Sequence, residues 1–300
     1  MKKVISFATT LIVVFAMISC SDAASTGSKW TNVSYASVSS ANKLDIYLPA
    51  TGEGPFPVIV WIHGGAFMMG SKSMVSGVQP YLTGKGFAVV SINYRLSGEA
   101  LFPAQIYDVK AAIRFIKANA STYNLNPDKI ATWGESAGAG LAALAGTSGG
   151  VAELEDMSMG NSSQNSRVQA VVDLFGPINF LTMDSQWTTL GVSGQSHDAA
   201  SSPESILVGG AIQTKQAACN SYNPETYITA DDPAFYIEHG SNDVLIPYLQ
   251  AKNFYDKLVP VIGANNANYK LLSGAGHADA AFSTSGNLSL LVDFLNTHLK

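Results

Sequence analysis

Ser136 is the first candidate for chemistry, because it stands at the centre of a Gly-x-Ser-x-Gly pentapeptide that runs from Gly134 to Gly138. A short apolar run precedes this pentapeptide and an Ala/Leu-rich run follows it, which predicts a strand, a tight turn and a helix. The flanking glycines lack a Cβ, so the turn can hold the serine hydroxyl out at the end of the sheet. The alternative is a glycine-rich turn without chemistry. A serine hydroxyl is a weak nucleophile, so the interpretation requires a base and anion-stabilising donors nearby.

Asp243 is the carboxylate best placed to support such a base. It directly follows a predicted strand, at the end where a parallel sheet presents its site residues. The competing carboxylates fit less well: Asp231 and Asp232 precede that strand, Glu238 lies within it, and Asp256 falls in a predicted helix. We therefore predict Asp243 as the acid.

His277 is the predicted base among the five histidines of the chain. It stands in the glycine-containing loop 273–278, directly after a predicted strand, and can reach the end of the sheet where Ser136 and Asp243 are expected. The other four are placed elsewhere: His63 in a loop treated next, His197 in an irregular segment, His239 at a strand end, and His298 in the last predicted helix. We expect none of these four to act as the base.

The stretch His63-Gly64-Gly65-Ala66 ends a continuous apolar run and can supply anion-stabilising donors. A loop of this kind, at the end of a central strand and upstream of the serine turn, presents backbone N–H groups to an oxyanion. We assign these donors to the N–H groups of Gly65, Ala66 and Ala137. The alternative is a tight structural loop with a structural imidazole.

Strands alternate with helices along most of the chain, which predicts an α/β fold with a mostly parallel sheet covered on both faces. Two edge strands are expected at 31–39 and 43–49. Apolar runs predict central strands at 58–62, 87–92 and 234–239, besides the run that enters the serine turn, and further strands are expected at 168–175 and 269–272. Helices are expected at 103–120, 247–258 and 288–299. The regular pattern of strands and helices is lost in residues 176–230. We interpret this segment as a cap inserted into a single domain that spans 31–300.

The N-terminus is typical of an export signal. Lys2 and Lys3 precede an apolar run that is short for a membrane span, so we expect a signal peptide at 1–23 and a tether at 24–30. Met17-Ile18-Ser19-Cys20 is similar to a bacterial lipobox, which predicts a lipid anchor on Cys20. Ordinary cleavage near Ala23 is the alternative, and the mass of the mature protein distinguishes the two. Both alternatives predict an exported protein, either a periplasmic or outer-membrane lipoprotein or a secreted one.

Several motifs together resemble the esterase/lipase branch of the α/β-hydrolase superfamily. They are His63-Gly64-Gly65-Ala66-Phe67, Asn93-Tyr94-Arg95-Leu96, Trp133-Gly134-Glu135-Ser136-Ala137-Gly138, His239-Gly240-Ser241-Asn242-Asp243 and Gly274-Ala275-Gly276-His277. The resemblance implies the α/β-hydrolase fold with an eight-stranded sheet and a small cap, and a triad in the order serine, aspartate, histidine. Ser202-Pro203-Glu204-Ser205 and Asp232-Pro233-Ala234-Phe235 are similar to bacterial feruloyl or acetyl-xylan esterase-like proteins. The chain departs from the family pattern at Ala66 and Ala139, which are often glycine.

These observations predict a serine carboxylic ester hydrolase acting on feruloyl or acetyl esters of plant polysaccharide. The alternatives are a general short-chain carboxylesterase and a catalytically silent binding module on the same fold. Phe67, Met68, Trp187 and Tyr248 are expected to line the substrate pocket. No cofactor is expected, because no His, Cys or Asp cluster has metal-ligand spacing. A net charge of −5 without a basic stripe argues against nucleic-acid binding, and a membrane is expected as a partner only through Cys20.

Overall fold

A computed structural model describes residues 27–300 of the chain. The expected signal peptide, Cys20 and residues 24–26 of the expected tether lie outside the described residues. Among residues 27–300, none of the helices has both the length and the apolar character needed to cross a bilayer.

Eight strands form one sheet, as the sequence predicted. Numbered along the chain, they are β1 (Lys29–Ser34), β2 (Lys43–Tyr47), β3 (Phe56–Ile62), β4 (Ala88–Ile92), β5 (Leu125–Glu135), β6 (Ala170–Leu174), β7 (Ala234–Gly240) and β8 (Ala267–Leu272). Their order across the sheet is β1-β2-β4-β3-β5-β6-β7-β8. β2 pairs with β1 and β4 in antiparallel fashion, and all pairs from β4 to β8 are parallel. The parallel strands therefore present their carboxyl ends at one edge of the sheet.

Eight α-helices and several short 3-10 turns connect the strands of the described chain. The helices are α1 (Gln79–Gly84), α2 (Ala104–Ala118), α3 (Ala137–Thr147), α4 (Met183–Leu190), α5 (Pro203–Val208), α6 (Gln216–Tyr222), α7 (Leu249–Ile262) and α8 (Ser285–Leu299). The 3-10 turns lie at Lys72–Gly77, Ala152–Leu154, Met157–Met159, Phe180–Thr182, Ile212–Thr214, Pro224–Tyr227 and Ala280–Ser283. The segment 176–230, called the cap below, contains α4, α5 and α6 between β6 and β7.

The continuous apolar runs form strands because both faces of the sheet are buried. In β3, Val60 and Ile62 point into the core shared with α2, α3 and α7, whereas Ile59 and Trp61 point into the core shared with α1 and α8. Successive side chains of a strand point to opposite faces, so a strand between two helical layers must be apolar throughout. Burial of each such side chain contributes roughly 1.5–3 kcal/mol.

The differences from the expected elements have local causes. β1 ends at Ser34 rather than at 39, because Asn42 reverses the chain: its carbonyl accepts from Tyr35 N, and its side chain accepts from Ser39 N at 3.0 Å. The helix expected at 247–258 begins two residues later and continues to Ile262. α1 was not expected from the sequence, and only Leu82 of its six residues is buried. A helix that short and that exposed carries little periodic signal.

Asp173 is a fully buried carboxylate in the middle of the sheet, on β6. Its Oδ1 accepts from Gly176 N at 3.0 Å, and its Oδ2 has no hydrogen-bond partner. Burial raises the pKa of this carboxyl from 3.8 to about 6, against the lowering effects of the Gly176 bond and the charge of His239. The charged form is therefore poorly accommodated in the folded state.

We predict that Asp173→Asn stabilises the protein at alkaline pH. Because the folded-state pKa lies above the unfolded value, wild type loses stability as pH rises from about 4 through 6, by about 3 kcal/mol in all. Asparagine is neutral throughout and avoids this loss. Thermal unfolding followed by circular dichroism should give a melting temperature several degrees above wild type at pH 8 and close to it at pH 4.

Asp293→Asn is the matched control, because Asp293 is exposed on α8. Its melting temperature should follow wild type at each pH. An Asp173→Asn protein that shows no pH-dependent advantage would contradict the buried, uncompensated charge.

Candidate active site

Ser136 occupies the sharp turn between β5 and α3. Its φ of 52° and ψ of −124° are strained for a residue with a Cβ. The neighbouring glycines allow this turn: a Cβ on Gly134 would lie 2.1 Å from the Gly138 carbonyl oxygen, and one on Gly138 would lie 2.1 Å from the Ile62 carbonyl oxygen. α3 consequently packs directly against the strands, and its N-terminal N–H groups lie beside the serine.

The structure brings His277 and Asp243 to Ser136. The Nε2 of His277 lies 2.9 Å from the Ser136 Oγ, and its Nδ1 lies 2.7 Å from the Asp243 Oδ2. A carboxylate only accepts hydrogen bonds, so Nδ1 carries the proton and Nε2 is left to accept from the serine hydroxyl. The Phe175 ring packs edge-on against the imidazole, with 4.8 Å between centroids. This tautomer can act as a general base toward Ser136.

Asp243 is held by four hydrogen bonds in a loop, here called the acid loop, that runs from Asp243 to Ile246. Oδ1 accepts from the backbone N–H groups of Leu245 at 2.8 Å and Ile246 at 2.9 Å. Oδ2 accepts from His277 and also from the His239 Nε2, at 3.1 Å. Burial alone would raise the pKa of Asp243, but the hydrogen bonds that these two imidazoles donate hold it well below its usual range. The acid therefore stays ionised beside the base.

The loop from Gly64 to Phe67, here called the oxyanion loop, lies against the serine turn. A Cβ on Gly64 would approach the Glu135 carbonyl oxygen to 2.9 Å. Gly65, Ala66 and Phe67 all have positive φ, at 111°, 55° and 61°. Among residues 27–300, the N–H groups of Gly65 and Ala66 donate to no protein acceptor. The N–H of Ala137 is likewise unused within its helix, because Ala137 is the first residue of α3.

His63 supports this loop rather than competing for the role of base. Its ring stacks on Tyr94 with 4.3 Å between centroids, and its Nδ1 lies 2.7 Å from the Gly64 carbonyl oxygen. Burial lowers the pKa of His63 to about 4, so the imidazole is neutral near pH 7. The Tyr94 hydroxyl donates to the His63 carbonyl at 3.0 Å and fixes the start of the loop.

The competing carboxylates have other partners. Asp231 pairs with Arg167 at 2.7 Å, Asp232 accepts from Thr229 at 2.9 Å, Asp256 pairs with Lys252 at 2.6 Å, and Glu238 accepts from Asn287 at 2.6 Å. None of these four carboxylates bonds a histidine among the described residues.

A cavity of about 60 Å³, here called the serine cavity, opens beside Ser136. Its lining combines the serine turn, the base, the oxyanion loop, the acid loop and the cap: Ala66, Phe67, Ser136, Ala137, Pro177, Gln195, Pro203, Glu204, Leu245, Ile246 and His277. Of the three predicted oxyanion donors, Ala66 and Ala137 line it and Gly65 does not.

Only one of the four predicted pocket residues, Phe67, lines the serine cavity. Met68 lines a separate groove of about 330 Å³ with Tyr94 and Leu96. Trp187 is a correction: its ring is buried against Gly194, and its Nε1 donates to the Gln195 carbonyl at 2.9 Å. Tyr248 is a second correction, because it caps the start of α7 and is absent from the lining.

Three polar side chains that the sequence interpretation did not assign to the site belong to residues that contact it. His239 bonds the acid, and Gln195 and Glu204 line the serine cavity. A signal for His239 was its four-residue spacing from Asp243 across the strand end. A signal for Glu204 was its place in Ser202-Pro203-Glu204, which starts α5. Gln195 lies in an irregular part of the cap and had no recognisable pattern.

Two proteins of known structure and one relative matched by sequence are similar to this chain. A bifunctional GH43-CE protein of Bacteroides eggerthii is 37% identical with a TM-score of 0.80, over 91% of this chain and 38% of that one. A truncated carbohydrate esterase from gut microbiota is 34% identical with a TM-score of 0.81, over 91% of this chain and 97% of that one. The probable carboxylic ester hydrolase LipM of Mycobacterium tuberculosis is 32% identical over 76% of this chain and 51% of its own length. The chain thus spans about half the length of that relative.

The BD-FAE family model matches residues 44–258, which is more than half of the chain. The match spans β2 to α7 and contains Ser136, Asp243 and the oxyanion loop, and the eight-stranded sheet continues beyond it to β8. The chain belongs to the BD-FAE family, within the esterase branch of the α/β-hydrolases.

Proposed function

We propose that the protein is a serine carboxylic ester hydrolase that removes small acyl groups, above all acetyl, from hydroxylated carbohydrate. The observation that carries this proposal is the unbroken set of hydrogen bonds from the Ser136 hydroxyl through His277 to Asp243, beside unused backbone N–H donors. This set matches the parts that acyl transfer to a serine requires.

The mechanism follows from the proton positions. His277 Nε2 takes the hydroxyl proton as Ser136 Oγ attacks the ester carbonyl carbon, and the negative charge moves to the carbonyl oxygen. N–H groups of Ala66 and Ala137 stabilise that oxyanion. The C–O bond to the alcohol then breaks, and His277 returns the proton to the departing oxygen. Water repeats the sequence on the acyl-enzyme and regenerates Ser136.

The size of the serine cavity favours acetyl over feruloyl as the acyl group. Its volume of about 60 Å³ is well below the roughly 300–1,000 Å³ of pockets that enclose drug-sized ligands. An acetyl group fits such a space, whereas an aromatic feruloyl group does not. The buried side chains of Phe67 and Ile246 close its walls.

The similarity to the carbohydrate esterase from gut microbiota covers 97% of that protein. This similarity supports a carbohydrate as the alcohol part of the ester. A general short-chain carboxylesterase is the second candidate, and the name of the mycobacterial relative favours it. A silent binding module is the least supported, because all three triad positions are filled and joined by hydrogen bonds.

Ser136→Ala should abolish ester hydrolysis, with a loss of about 10⁶-fold in kcat, because the nucleophile is gone. Hydrolysis of p-nitrophenyl acetate measures the loss. A fluorophosphonate probe should label the wild-type protein at Ser136, mapped by mass spectrometry, and should leave the variant unlabelled. Labelling of a different serine in the wild type would refute the assignment.

Asp243→Asn should lower kcat by about 10⁴-fold with little change in KM, because the imidazole loses the partner that fixes its tautomer. Asp256→Asn, an exposed carboxylate on α7, is the matched control and should stay within a few-fold of wild type. A folded Asp243→Asn protein with near-normal kcat would place the acid elsewhere.

Lengthening the acyl chain should lower kcat/KM by about 10–100-fold between p-nitrophenyl acetate and the octanoate, because the longer chain fits the small serine cavity only if the side chains of its wall move. Methyl ferulate should be poorer still. Ile246→Ala should reduce the difference in kcat/KM between the acetate and the octanoate, because it enlarges the cavity. It also keeps the backbone N–H that donates to Asp243. Faster hydrolysis of ferulate than of acetate by wild type would exclude the acetyl assignment.

A further inference from the structure

Glu204 is a buried carboxylate of the cap that reaches the serine cavity. It lies in the first turn of α5, whose start is fixed by the Ser202 hydroxyl accepting from Ser205 N at 3.1 Å. Only 2% of its surface is exposed, yet it lines the cavity together with Ser136 and His277. A carboxylate in such a small space is costly unless its charge and its lone pairs are matched.

His197 matches one half of this carboxylate. Its Nδ1 lies 3.0 Å from the Glu204 Oε2, and its Nε2 lies 2.9 Å from the Leu245 carbonyl oxygen. Both partners are acceptors, so the imidazole donates from both nitrogens and carries a positive charge. Burial opposes that charge, but the bond and charge of Glu204 raise the pKa of His197 above its ordinary value. The ion pair also joins the cap to the acid loop.

The second oxygen of the Glu204 carboxylate, Oε1, has no donor within the described chain, residues 27–300. This oxygen keeps some accessible surface. Asp184, another carboxylate of the cap, shows what a purely structural role looks like: its two oxygens accept from His197 N, Asp198 N and the Ser196 hydroxyl. A structural ion pair explains Oε2 of Glu204 and leaves Oε1 unexplained.

Gln195 supplies a second unused polar group on the same wall. Its backbone is fixed by a bond from its N–H to the Val244 carbonyl at 2.8 Å and by the bond that Trp187 donates to its carbonyl. Gln195 lines the cavity, and its side-chain amide makes no hydrogen bond among the described residues. An anchored backbone with a free amide is suited to binding a polar ligand group.

Resting on the proposed esterase function, we propose that Glu204 and Gln195 form a subsite that binds the hydroxyl vicinal to the scissile ester on the alcohol part of the substrate. An acetyl group offers no hydroxyl, so the donor must come from the alcohol. In a monoacetylated diol, the neighbouring hydroxyl lies close to the ester oxygen, so it can reach the Glu204 and Gln195 side of the wall while the acetyl group occupies the space beside Ser136. Glu204 Oε1 accepts from that hydroxyl, and the Gln195 amide bonds its oxygen. The substrate class is therefore monoesters of vicinal diols, as found in sugars.

The test compares two acetates that differ by one hydroxyl, cyclohexyl acetate and trans-2-hydroxycyclohexyl acetate. The wild type should prefer the hydroxylated ester by about tenfold or more in kcat/KM, because a buried charged acceptor left unpaired penalises the other ester. Glu204→Gln keeps an oxygen for His197 and removes the charge, so this preference should fall to about two-fold. The ratio of the two rates is independent of the fraction of folded enzyme.

Two further variants make the result decisive. Gln195→Ala should also reduce the ratio, and it tests the subsite if Glu204→Gln does not fold. Asp184→Asn, the matched control on the cap, should leave the ratio at the wild-type value.

The outcomes separate the two proposals. If the wild type does not hydrolyse p-nitrophenyl acetate, the esterase function itself fails. If it does, but treats the two cyclohexyl esters alike, only the hydroxyl subsite is wrong. An unchanged ratio in Glu204→Gln with equal losses on both esters would mean that Glu204 acts only through its pair with His197.

Discussion

The carboxylate of Asp243 is the interaction on which the geometry of the site depends. It is buried, and a buried charge must be matched by donors from all sides. Two imidazoles on one oxygen and two backbone N–H groups on the other meet that requirement. These donors come from the end of β7, from the acid loop and from the loop after β8. The backbone of Leu245 extends this hydrogen-bond network to the cap. Its N–H donates to Asp243, and its carbonyl accepts from His197 of the cap. One charge thus sets the relative positions of the end of β7, two loops and the cap.

Packing of the flanking elements, in addition to the hydrogen bond of the Ser136 side chain, holds the serine turn in place. Its strained backbone is stable only because β5 and α3 are fixed on both sides and because no Cβ intervenes at Gly134 or Gly138. The oxyanion loop shows the same dependence, since Ala66 and Phe67 keep positive φ while buried or half-buried against the turn. Rigid elements below and strained loops above are how this fold holds donors in place before a substrate arrives.

The fold and the three central residues were predictable from the sequence, because each leaves a local signal. Apolar-rich runs mark the strands, and Ser136, Asp243 and His277 each follow a predicted strand. Trp187 was misassigned because an aromatic residue in an irregular segment has the same sequence appearance in a pocket wall as in a core. Glu204 and His239 could not be placed because their roles depend on distances between segments far apart in the chain. Such distances follow from the path of the cap and the twist of the sheet, neither of which is periodic.

The position of the base at the edge of the sheet has a consequence for how the protein loses activity. His277 follows β8, the last strand in the sheet order, and lies 141 residues from Ser136 along the chain. β8 has a single neighbour, β7, and most of its residues are only partly buried. Edge strands open locally at a lower free energy than the strands at the centre of a sheet. Detachment of β8 would carry the imidazole away while β3 to β7 remain folded. We therefore expect heat inactivation of this protein to report the opening of one edge of the sheet and to precede melting of the core.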